Sequence, residues 1–181
     1  IIALDVGAQG GFNSDNFFPK RYESFFEDIL IEPINSEVEK IKKKHVINKG
    51  LWSEKTNKKL FILDKRLGSS SMYEPNEENF DIHNIKERDY ENYKVTNILE
   101  IECDTISNLL PKYNIQSLDY LKIDTQGAEL EILKGIGNFQ PLLIKLEAHI
   151  FSMYKNAPSW HELLDYLYQL NYVAIDLKGI G

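Results

Sequence analysis

The stretch from Leu118 to Gly135 (Leu118-Asp119-Tyr120-Leu121-Lys122-Ile123-Asp124-Thr125-Gln126-Gly127-Ala128-Glu129-Leu130-Glu131-Ile132-Leu133-Lys134-Gly135) constrains the fold more than any other part of the chain. Leu118, Tyr120, Leu121 and Ile123 form a short apolar run that reads as a buried strand and stops at Asp124. Gly127 frees the backbone to turn, residues 128–134 favour a helix, and Gly135 marks its end. A strand, an acid at its carboxyl end and then a helix form the repeating unit of open parallel sheets, where ligands bind outside the strand ends. Asp124 therefore stands where chemistry gathers in such sheets, although an Asp ahead of a helix is explained equally well as a cap.

The rest of the chain repeats that unit. Ile1 to Val6 reads as a first strand, followed by the glycine-rich turn Asp5-Val6-Gly7-Ala8-Gln9-Gly10-Gly11. Ser14 to Phe26 places Phe17, Phe18, Tyr22, Phe25 and Phe26 on one helical face, read as core packing, with Pro19 in the first turn. Ile29-Leu30-Ile31 is a second strand ending at Glu32-Pro33, and Ser36 to Glu39 matches a capping box for the helix that Lys40, Lys42, Lys43 and Lys44 close. Strands are also expected at Val46-Ile47, Leu60 to Leu63 and Val95 to Glu102, with a turn at Asn57-Lys58 or the neighbouring polar residues. Asp104 reads as the N-cap of a helix over Thr105 to Tyr113. Leu142 to Leu146 is a strand ending at Glu147-Ala148-His149, Ser159 to Glu162 a second capping box for a helix to Leu170, and Tyr172 to Ile175 a last strand. Such alternation gives an α/β class with a largely parallel sheet. Residues 72–94 break it: polar, heavily acidic and dotted with Tyr73, Phe80, Tyr90 and Tyr93, they read as a lid or substrate-contacting insertion.

Composition narrows the partners. The 181 residues suit one domain, and a net charge of −7 argues against nucleic acid bound by phosphate neutralisation. Cys103 is the sole cysteine, which excludes an internal disulfide and fits a reducing, cytoplasmic setting. No apolar run is long enough to cross a bilayer, and a chain that opens directly in a strand reads as a piece of something longer.

An acid at the end of strand one, a glycine turn, and Glu32 placed 21 positions after Gly11 mark a nucleoside cofactor site, with Glu32 reaching the ribose hydroxyls. Nicotinamide and S-adenosylmethionine enzymes share that layout. Counting from Gly7, the dinucleotide spacing requires glycines where Gln9 and Phe12 stand, so the turn suits an amino-acid cofactor better than a pyrophosphate. An NAD-dependent oxidoreductase is the rival reading, and a non-catalytic cofactor-binding module the second.

These residues carry a resemblance. Asp5 to Gly11, Glu32-Pro33, Ser69-Ser70-Ser71, Lys122 to Glu129 and Leu146-Glu147 resemble the FkbM-type methyltransferases, from Ile1 to about Asp176. That resemblance implies a Rossmann-like class I methyltransferase fold and S-adenosylmethionine-dependent O-methylation of a glycan or small-molecule hydroxyl. It further implies that Asp5, Gly7, Ala8, Gln9 and Gly11 line the methionine part of the cofactor and that Glu32 holds the ribose. Pro33 would pack by the adenine, Ser69 and Ser70 line the adenine side or the mouth, and Asp124 sit near the sulfonium. Gln9 stands where the family commonly has Asn, and Gln126 where Glu is common; the second change removes a charge, which bears on any metal there. An alcohol is a poor nucleophile while protonated, so the site needs a base or a metal ion. Asp124, Glu147 and His149 are the candidates, as base and orienter or as ligands to a divalent ion. Lys122 reads as half of a structural ion pair, Glu129 as a partner of the helix dipole, and Trp52 and Trp160 as packing, with Trp160 beside Pro158 near the acceptor.

Overall fold

A computed structural model describes residues 1–9, 20–43 and 45–177. Among them the strands are β1 (Ile2–Val6), β2 (Glu27–Ile31), β3 (His45–Ile47), β4 (Gly50–Leu51), β5 (Thr56–Ile62), β6 (Asn97–Asp104), β7 (Tyr120–Ile123) and β8 (Leu143–Leu146). The α-helices are α1 (Asn35–Val38), α2 (Ile106–Leu109), α3 (Glu129–Lys134) and α4 (Trp160–Gln169). Five strands pair in parallel in the order β3-β2-β1-β7-β8, a Rossmann-like α/β sheet.

Strand periodicity sorts the core into two layers. Leu4, Val6, Ile29, Ile31, Leu121 and Ile123 face one side, where they meet Ile106 and Leu109 of α2, Ile132 and Leu133 of α3 and Leu163 of α4. Ala3, Leu30 and Tyr120 face the other, against Ala8, Phe26, Val46 and Leu143. With both faces covered, β1 and β7 are apolar at all but one position each, as parallel strands tend to be. Polar Asp5 and Lys122 interrupt them in register with one another. They form a buried ion pair, Nζ to Oδ1 at 2.9 Å, as expected for Lys122.

A second sheet, β4-β6-β5, interrupts the alternation, and its β5–β6 pair is antiparallel. Leu60, Ile62, Ile101 and Cys103 point into the main core, while Asn57, Lys59, Glu100 and Glu102 face outward. Burial pushes the Cys103 thiol up to about 11, which leaves it an inert packing group. The expected turn falls on the neighbouring polar residues Ser53 to Lys55, and Asn57-Lys58 is strand: Asn57 pairs with Glu102, Lys58 with Ile101, and the Lys58 ammonium lies 4.0 Å from the Trp52 ring centre. Cross-strand partners outweigh the local turn preference.

Three cap and strand expectations also change. α1 begins at Asn35 with no side-chain cap, because Glu32 Oε1 already accepts the Ile34 N–H at 2.9 Å and Ser36 falls inside the helix. Thr105 rather than Asp104 caps α2, its Oγ1 accepting from Asn108 N, while Asp104 closes β6 and pairs with Lys112. Tyr172 to Ile175 is not a strand: Val173, Ile175 and Leu177 are exposed, and among the described residues no ladder partner lies beside them. The Ser159 capping box forms as expected, with Glu162. Phe17, Phe18 and Pro19 lie outside the described residues, and Tyr22 and Phe25 are exposed on a 3-10 helix (Lys20–Phe25) rather than packed.

Candidate active site

The chain runs β1-β2-β3 to one side and returns to add β7 and β8 on the other, so the order reverses beside β1. The crevice outside the carboxyl ends of β1 and β7 is where open α/β sheets bind ligands. Here it holds a cavity of about 230 Å³. Gly7, at its edge, lets the turn after β1 pack against the turn after β7: φ is +79°, and a Cβ there would meet the Asp124 carbonyl oxygen at 2.0 Å. Gly7 N and Ala8 N both donate to the Ile31 carbonyl, at 3.1 and 3.2 Å, tying this turn to the end of β2.

Gly7, Gln9, Glu32, Pro33, Ser70, Asp124 and Glu147 all line the cavity. Asp5 does not; it is wholly buried behind it, holding Lys122. Ala8 packs into the second core layer, and the Ser69 carbonyl accepts a hydrogen bond from the Tyr154 hydroxyl. Gly11 lies outside the described residues. His149 lines a smaller cleft together with Pro158 and Trp160, and Glu147 borders both spaces.

The turn after β7 is clamped by Glu129. Although it sits in the first turn of α3, its role exceeds a dipole contact. Its carboxylate accepts from Thr125 N at 2.9 Å, Thr125 Oγ1 at 3.0 Å and Gly127 N at 2.8 Å, and it is 4% exposed. The clamp lets Gln126 (φ +59°) and Gly127 (φ +114°) adopt left-handed backbone in succession. Asp124 is not the helix cap, since Ala128 occupies that position without a side-chain bond. Its side chain is left for the cavity.

Two carboxylates converge there, and Gln126 lies between them. Gln126 Nε2 donates to Asp124 Oδ1 at 3.2 Å and to Glu147 Oε2, while Gln126 Oε1 accepts from the Tyr154 hydroxyl at 2.9 Å. Burial, and then the Asp124 charge, push the Glu147 carboxyl up to about 8. Burial also raises Glu32, to about 7, against the opposing pull of the Ile34 N–H. His149 is lowered by burial and by His83, whose ring stands edge-on at 6.2 Å. Its Nε2 is 3.8 Å from Glu147 Oε1, too far for a hydrogen bond.

A model of the methyltransferase FkbM domain matches residues 5–174. The chain belongs to the FkbM methyltransferase family. No curated protein and no solved structure matches it.

Every lining residue named above falls inside the span matched to the FkbM methyltransferase domain. Among the described residues of this methyltransferase, no group of three or more His, Cys, Asp or Glu side chains is arranged to hold a metal ion, and no helix is long and apolar enough to cross a membrane. The acidic segment 72–94 is built on short 3-10 turns and a core of its own, in which Phe80 and Tyr93 pack on Leu63. Its first part is stitched to residues 152–155 by Asn76 N to Met153 O (2.7 Å), Lys155 N to Glu74 O (2.8 Å) and Asn79 Nδ2 to Ser152 O (2.7 Å). Tyr154, carried on that stitched loop, was invisible to sequence reasoning: nothing local distinguishes it from the chain's other tyrosines. His83 likewise gains its neighbour only through folding.

Proposed function

We propose that the protein transfers a methyl group from S-adenosylmethionine to a hydroxyl of a glycan or small-molecule acceptor in a reducing, cytoplasmic setting. One observation carries the reading beyond the family: Glu147, at a strand end facing the cavity, is a carboxyl whose pKa is raised to about 8. A carboxylate that is basic near neutral pH is matched to taking a hydroxyl proton, whereas one titrating near 4.5 is a weak base for that task.

The residues present fit the cofactor. The turn at Gly7 and Gln9 offers backbone and amide groups to a zwitterion, Gln9 being braced by Glu37 Oε2 at 3.3 Å. Glu32 and Pro33 at the end of β2 would take the ribose hydroxyls and the adenine, with Ser70 opposite. Asp5, Ala8, Ser69 and Gly11 would then support the site from beside or behind it. When bound, the cofactor supplies a methyl carbon already activated by a sulfonium. Glu147 would accept the proton of the acceptor hydroxyl. Asp124 keeps that carboxyl basic and, with Gln126, holds it in place. A family of methyltransferases and the Gln9 and Phe12 register both favour methyl transfer over hydride transfer. The acidic segment 72–94 favours a neutral or cationic acceptor over a phosphorylated one.

Calorimetric titration with S-adenosylmethionine, S-adenosylhomocysteine and NAD, followed by turnover on free sugars, methyl glycosides and hydroxylated aromatics, tests this. Binding of the first two at micromolar concentration and not of NAD is expected. Binding of NAD alone would overturn the reading.

A further inference from the structure

Glu147 owes its position to a chain of side chains that extends well beyond the two carboxylates. Gln126 is anchored twice: its carbonyl accepts from Ser71 Oγ at 2.6 Å, and its side-chain Oε1 accepts from Tyr154. Tyr154 is 2% exposed, and its hydroxyl oxygen is also 2.9 Å from the Ser69 carbonyl. A phenol has one proton, so Tyr154 donates to one of these oxygens at a time. Its backbone is equally fixed. Residue 154 bridges to Pro75 in antiparallel register, and its N–H donates to Ser152 Oγ at 3.1 Å. Tyr154 thus joins four separate parts of the chain: the 152–155 loop, the start of the acidic segment, the end of the 3-10 helix Asp64–Ser69, and the turn after β7.

Resting on the methyl-transfer reading above, we propose that Tyr154 is a positioning residue: through Gln126 its hydroxyl sets the placement of the Asp124–Glu147 carboxylate pair against the acceptor. Without that hydroxyl the Gln126 amide keeps its two acceptors but loses the bond that holds its far end. It can then swing, and the carboxylates swing with it. Displacement of a reacting group on that scale lowers turnover more than cofactor affinity, because the Tyr154 hydroxyl bonds Ser69 and Gln126 and not the Gly7, Gln9, Glu32 or Pro33 groups read as the main cofactor contacts.

Tyr154→Phe removes only the oxygen and keeps the buried ring. Three measurements on it decide the matter. S-adenosylmethionine affinity is expected to stay within about threefold, and kcat on the best acceptor of the panel to fall by about tenfold or more with KM little changed. The Gln126 side-chain amide signals in a 15N-labelled protein, assigned by their loss in Gln126→Glu, are expected to shift and exchange faster with water. Gln126→Met should lower kcat at least as far, and the double variant no further than Gln126→Met alone, since one residue acts through the other. Unmoved amide signals, an unchanged kcat, or losses that simply multiply would each overturn the assignment. If the wild type binds S-adenosylmethionine yet methylates nothing in the panel, the O-methylation reading fails. The amide signals need no acceptor and still decide whether Tyr154 holds Gln126.

Discussion

Glu32 and Glu147 are the same residue at the same kind of place, the carboxyl end of a parallel strand, on opposite sides of one cavity. Burial raises both. What holds them differs. Glu32 is fixed by its own neighbourhood, accepting the N–H of Ile34 two residues on. Glu147 is fixed by Gln126, 21 positions away in sequence, which is itself fixed by Tyr154. The end of β2 is thus a local device that any chain with a strand, an acid and a short helix can build. The end of β8 is assembled from distant segments.

Substitutions at the two ends should therefore fail in different ways. The largest effect is expected at the β8 end: Glu147→Gln should lower kcat by about a hundredfold or more, the range lost with a general base, while cofactor affinity holds. Asp124→Asn should follow the same pattern more weakly. Equal loss of affinity and turnover would move both residues to the cofactor side and erase the contrast.

At the β2 end, Glu32→Gln should weaken S-adenosylmethionine binding by about tenfold to a hundredfold, because a hydrogen bond to a charged group contributes about 1.5–3 kcal/mol. Saturating kcat should change little. Calorimetry beside steady-state kinetics separates the two ends. A third variant tests the strands between them. Lys122→Met leaves Asp5 buried without its ion-pair partner and should cost about 3–5 kcal/mol of stability in urea unfolding. A stable Lys122→Met protein with lost cofactor binding would instead make Asp5 and Lys122 ligand-site residues.

The pH response carries a definite sign. Glu32 and Glu147 have folded-state pKa values near 7 and 8, above the ordinary carboxyl near 4.5. The folded protein therefore holds protons that the unfolded chain releases. This contribution to stability is complete below about pH 4.5 and is lost as pH rises through 7 and 8. Tm should fall between about pH 5 and pH 8 and level off above it, and Glu147→Gln should flatten that fall. Over the same interval kcat should rise and level off above pH 8 as the Glu147 base loses its proton. A Tm that rises across this range would show that neither carboxyl is held protonated by burial.

Much of the fold was legible because it follows from periods and punctuation. Apolar runs gave β1, β2, β7 and β8, and Ser159 with Glu162 gave the start of α4. The glycine turn and the strand-end acids located the cavity, since sheet topology sends strand ends to one place. Misreadings arose where a distant partner outweighed a local preference. Asn57-Lys58 pairs with β6 while the bend falls at residues 53–55, and Tyr172 to Ile175 is an apolar run like a strand but has no ladder to join among the described residues. Glu129 passed for a dipole contact because its clamp on Thr125 and Gly127 depends on left-handed backbone that spacing does not reveal.

What the sequence by itself determined is the α/β class, the switch-point turn, and the residue types at the strand ends. All of these follow from interactions between near neighbours along the chain. Only the tertiary structure decided that Asp124 faces the cavity rather than capping α3, that Asp5 sits behind it with Lys122, and that Glu147, Gln126 and Tyr154 meet. The physical reason is burial. The same carboxyl titrates near 4.5 in water and near 8 beside Asp124 in a half-dry crevice, and which carboxyl is dry is settled by packing.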